Sequence, residues 1–196
     1  LARNLEGRFA DAARLAEAAA TLLDTIRARF PLTALYARHD QCRYLFFDNP
    51  TEPLKAIELC RKLIEDWPAS PQRETQLQPI RHDLGLFLLA TGQEDEVRNL
   101  LARSNATTMP ITEGHDPWLA DLYVQLCQTF SSWPIAYRPA EFGFWLARAF
   151  ELDPRSAHAH LLAIAFALER GENVSAIQYL NALQDILVDP VRMEMA

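Results

Sequence analysis

Apolar positions recur three and four residues apart along most of the chain, in blocks that stop at glycine, proline or Asp-Pro. The pattern is clearest from residue 139 onward. A block that starts at Pro139 closes at Leu152-Asp153-Pro154, because proline cannot continue a helix and biases the residue before it away from the α region. The next block predicts a helix from Ser156 to Arg170, with Ala157, Leu161, Ala165 and Leu168 on one stripe. It stops at Gly171, the residue type best able to turn left-handed after a helix. A third block carries Val174, Ile177, Leu180, Leu183 and Leu187 as far as Asp189-Pro190.

The same punctuation partitions the rest of the chain. Leu1 to Glu6 reads as the tail of an earlier helix ended by Gly7. An alanine-rich helix follows from Phe9 to Phe30, with Phe9, Ala12, Ala13, Ala16, Ala19, Leu22, Leu23 and Ile26 on its apolar side, and Pro31 ends it. Residues 33–47 form the next helix. Thr51 is placed to cap another, with Pro53 in its first turn, that runs through Ile57, Cys60 and Leu63 to Trp67-Pro68. A helix ending at Gly92 begins at either Gln72 or Gln78, since Pro79 leaves its start open, and Glu94 to Arg103 is its short partner. The stretch 104–117 is longer and less regular than most connections in a compact domain. Asp116-Pro117 then caps a helix through Phe130. The count is about nine helices, one leading helix and four hairpins.

Composition sharpens this into an all-α chain. There are 29 Ala and 29 Leu against 5 Val and 9 Ile, so the strong helix formers far outnumber the β-branched residues that favour strands. A net charge of −7, with 17 Arg and 2 Lys scattered among acids, argues against a nucleic-acid partner, which needs a concentrated basic surface. No apolar run approaches the ~20 residues of a membrane span. Cys42, Cys60 and Cys127 form no CxxC pair and each falls within an apolar stripe, as buried reduced thiols do, which points to a cytoplasmic setting. The chain opens at Leu1 inside an apparent helix, so residues 1–196 are expected to be one helical domain taken from a longer chain.

The hairpins repeat a local signature. Gly7, Gly92 and Gly171 are each followed five positions later by a small apolar residue, namely Ala12, Val97 and Ala176, and Ala56 is the equivalent where Asn49-Pro50 makes the turn. Successive marks lie 44, 41 and 79 residues apart, the last about two periods, within the range of helical-hairpin solenoids. A proline follows twelve to fourteen residues after three of them: Pro68, Pro110 and Pro190. Leu84-Gly85-x2-Leu88, Ala56-x3-Cys60, Ala176-x3-Leu180 and the closing Pro68 and Pro154 together resemble a degenerate tetratricopeptide repeat, with Leu for the family's Tyr and Arg81 in place of its Trp. The resemblance implies an α-α superhelix of stacked antiparallel hairpins that binds a peptide or partner helix in a concave groove lined by the first helix of each hairpin.

Carried onto this chain, the groove positions are Leu35, Arg38, His39, His82, Asp83, Leu86, His158 and Leu162, with Cys42, Leu89 and Leu161 beside them. The carboxylate clamp of the family's chaperone-binding members is not reproduced. A helical regulatory or substrate-docking domain of a larger enzyme or regulator is the alternative. A stand-alone enzyme would need a polar constellation that no motif supplies: HExxH, GxSxG and a phosphate loop are all absent. His39 with Cys42 sits at ligand spacing, but no further ligands accompany the pair, and His158-x-His160 points two ways on a helix. Neither a metal nor another cofactor is expected. Trp67, Trp118 and Trp133, each beside a proline, are read as packing plugs between hairpins.

Overall fold

The computed structural model describes residues 2–25, 31–48, 53–104, 116–131 and 138–193, and these are all-α, with no strand among them. Among the described residues nine helices follow one another: α1 (Ala2–Asp24), α2 (Pro31–Asp48), α3 (Leu54–Asp66), α4 (Arg73–Ala90), α5 (Glu94–Ser104), α6 (Pro117–Ser131), α7 (Phe142–Leu152), α8 (Ala157–Glu169) and α9 (Asn173–Met193). The chain divides into two compact units, Leu1–Thr108 and Met109–Ala196.

In the first unit each helix packs on the next, and α2 also touches α4. Phe46 of α2 stacks on Phe87 of α4 with ring centroids 4.3 Å apart. On the other layer, Arg61 of α3 bridges to Glu96 of α5. The second unit repeats the arrangement. Its helices α6 and α8 touch, and Phe150 of α7 stacks on Tyr179 of α9, with centroids 5.7 Å apart and planes 9° from parallel. Within each unit, then, first helices meet first helices and second helices meet second helices.

The turns inside the hairpins follow the sequence chemistry closely. Gly92 and Gly171 have φ of +72° and +73°, and they are the only positive-φ residues among those described. At each, the glycine N–H donates to the carbonyl three residues back and the following N–H reaches the carbonyl five back: Gly92 to Leu89 and Gln93 to Leu88, then Gly171 to Leu168 and Glu172 to Ala167. This is the Schellman arrangement, which satisfies the last carbonyls of a helix. Five residues on, Val97 and Ala176 are both buried, and so is Ala56. Asp116 accepts from the Leu119 amide at 3.0 Å with Pro117 as first helical residue, and Ser156 caps α8 through the Ala159 amide at 3.2 Å. Asp153, held extended before Pro154, ends α7.

Several sequence expectations are corrected. Gly7 ends nothing: α1 runs through it from Ala2 and stops at Asp24, with Ala19 and Leu22 facing solvent. Pro31 opens α2 rather than closing α1, a role that suits a residue with no N–H to satisfy. Of the two starts left open for α4, the earlier holds: Gln72 is its N-cap and Arg73 its first residue, so Pro79 lies inside the helix, near the buried Leu77 and Ile80. α9 continues past Pro190 to Met193. The stripe of Ala157, Leu161, Ala165 and Leu168 is largely the outside of α8: Leu161, Ala165 and Leu168 are exposed, while Ala159, His160, Ala163 and Ala167 face the core. Of the α9 positions, Leu183 is buried, whereas Val174, Ile177, Leu180 and Leu187 are exposed. Trp67 is a packing plug, edge-on to Tyr36, but Trp118 is exposed. The Thr51 cap, the 105–115 stretch with Pro110, and Trp133 lie outside the described residues.

Candidate functional site

The first unit gathers three of the sequence-predicted polar residues into one cluster. His39 lies near the middle of α2 and Asp83 near the middle of α4, where those two helices touch. His39 Nε2 is 2.8 Å from Asp83 Oδ2, Arg43 Nε is 3.5 Å from the same oxygen, and His82 Nδ1 is 3.4 Å from Asp83 Oδ1. Residues 39 and 43 share a face because they are one helical turn apart. Burial alone would raise the Asp83 pKa, but the hydrogen bonds from His39 and His82 and the positive charge of His39 and Arg43 outweigh it and hold the carboxyl at about 2. Asp83 is therefore ionised at neutral pH and accepts; the ring N–H of His39 donates to it.

The cluster has an inner and an outer side. His39 is buried, while the side chains of His82 and Arg43 are about half exposed. Beneath it sit two thiols with no solvent contact, Cys42 of α2 and Cys60 of α3. The side-chain hydrogen bond with Cys42, together with burial, pushes the Cys60 thiol far up, and the Asp83 charge adds to this. The Cys42 thiol itself reaches the Arg38 carbonyl at 3.2 Å. These are unreactive core thiols, like Cys127, whose pKa burial lifts to about 12.

The remaining predicted residues are placed otherwise. Arg38 turns away from the cluster to pair with Asp24 of α1. Leu35 and Leu86 are core residues. His158 and Leu162 belong to the second unit, where His158 is exposed with Nδ1 4.0 Å from Asp121 Oδ1, and Leu162 is half-buried. His160, two residues on, points inward: its Nδ1 lies 2.9 Å from the Ser156 carbonyl and its ring meets Phe150 edge-on. Arg43 is the cluster member that sequence reasoning missed; its four-residue spacing from His39 was the available signal. No group of three or more His, Cys, Asp or Glu side chains that could hold a metal ion occurs among the described residues. No described helix is long and apolar enough to cross a membrane. Comparison with family models, with characterised proteins and with solved structures finds no match to this chain.

Proposed function

We propose that the chain is a non-catalytic protein-interaction module of tetratricopeptide-like helical hairpins, which binds a peptide or partner helix along the first helices of successive hairpins. The observation that carries this reading is the α2–α4 edge. There two first helices meet, and the Asp83 carboxylate is paired with His39, His82 and Arg43, of which the last two are about half exposed. A surface of this kind suits the carbonyls or carboxylates of a bound segment. The layering inside each unit supports a stacked superhelix, since first helices contact one another and second helices do likewise. The buried thiols support a cytoplasmic setting.

The test is a partner isolated by crosslinking in the native host, followed by binding measurements on two double variants that both retain their fold. Arg43→Ala with His82→Ala is expected to weaken binding by at least about tenfold, as loss of interface anchors does. Arg14→Ala with Arg61→Ala, on α1 and on the second-helix layer, is expected to change it little. Equal binding by the two variants removes the reading.

A further inference from the structure

α9 carries an apolar seam that its own unit leaves uncovered. Its inward side is defined by Ala176 and Leu183, both buried, and by Tyr179 stacked on Phe150. On the outward side, Ile177, Leu180, Gln184 and Leu187 are all exposed, Ile177 and Leu187 at 57% each, and they follow one another at spacings of three, four and three. That is a heptad seam with Ile at a first-type position, Leu at both second-type positions and one polar residue at a first-type position. This pattern selects two strands and pins their register at some cost in strength.

We infer that α9 is a homodimer contact, in which the seam of one copy packs against the same seam of a second. Charge argues for a second copy as the occupant. Two chains of −7 repel at most surfaces, yet among the exposed positions from Val174 to Val188 only Asp185 is charged, and Gln178, Asn181 and Gln184 are amides that both donate and accept. An amide can pair with its own symmetry mate, so this face complements itself, as a two-fold contact requires. The exposed side of α1, by contrast, presents Arg8, Asp11, Arg14 and Glu17. The seam from Ile177 to Leu187 is about 15 Å long, so the contact is small and belongs to the weak, transient end of specific interfaces. This inference stands independently of the α2–α4 edge.

Sedimentation equilibrium on the chain, from about 1 to 200 µM, spans the range over which a weak dimer forms. Wild type is expected to pass from monomer to dimer and no further. Leu180→Glu with Leu187→Glu, at positions exposed in the single chain, is expected to keep its helix content and stay monomeric throughout. Gln184→Leu is expected to tighten the dimer at least about tenfold, because the polar residue in the seam weakens it. Leu161→Glu with Leu168→Glu on α8 is expected to leave it unchanged. A monomeric wild type, an open series of larger oligomers, a dimer that survives the α9 double variant, or a Gln184→Leu variant no tighter than wild type would each overturn the inference.

Discussion

His39 Nε2 and Asp83 Oδ2 lie 2.8 Å apart, joining α2 to α4 across 44 positions of chain. The pair ties a buried imidazole to a carboxylate whose charge the fold protects, so it has a pH signature. The Asp83 pKa is depressed from 3.8 to about 2 in the folded state. Its contribution is therefore complete above the unfolded value and is lost as pH falls through the folded one. A depression of this size corresponds to about 2 kcal/mol. Wild type is expected to lose about that much more stability than Asp83→Asn between pH 5 and pH 2, read from hydrogen exchange of the α2 and α4 amides. Parallel curves for the two proteins would show that the carboxylate adds nothing.

Gly92 and Gly171 occupy equivalent left-handed turns, and a Cβ built at either meets nothing within 4 Å. The cost of Gly→Ala there is consequently backbone strain alone. It is partly offset by the smaller freedom of the unfolded chain, and is about 1 kcal/mol at each site. Thermal unfolding of Gly92→Ala and Gly171→Ala is expected to show similar losses, and Gly171→Val a larger one.

Ala176 is buried at the start of α9, where it faces its own unit. Ala176→Leu is expected to lower stability by ~1–3 kcal/mol through overpacking. Ile177→Leu, one position further and exposed, is expected to change the monomer's melting temperature hardly at all. The contrast between adjacent positions checks the register of α9.

Arg138 is a buried cation in the second unit. It pairs with Glu169 at 2.7 Å, donates to the Ser131 carbonyl at the end of α6 and lies over the rings of Phe142 and Phe166. Arg138→Ala is expected to cost about 2 kcal/mol, since a helix-end carbonyl loses its donor and the aromatic faces lose their cover. Arg138→Lys is expected to recover only part of this, because an ammonium cannot reproduce the planar fork. Arg61→Ala, which breaks the exposed bridge to Glu96, is expected to cost under about 1 kcal/mol. Urea denaturation of the three variants orders them.

What the sequence determined by itself was local. The Asp116-Pro117 start, the Ser156 cap, the Asp153-Pro154 stop and the glycine turns at 92 and 171 depend on a few neighbouring residues, whose hydrogen bonds or φ values admit few alternatives. So did the all-α class, from the excess of Ala and Leu over β-branched residues. Tertiary packing decided the rest. Gly7 and Pro190 carry stop signals that their helices override, because a propensity of about 1–3 kcal/mol yields to the rest of a long helix. In α8 nearly every residue is apolar, so periodicity has no polar side to mark the outside. The neighbours α6, α7 and α9 chose the face bearing Ala159, Ala163 and Ala167 and left Leu161 and Leu168 to solvent. The His39–Asp83 pair was legible only as two polar residues on two apolar helices. Their meeting depends on how α2 crosses α4, a contact distant in sequence that no local pattern encodes.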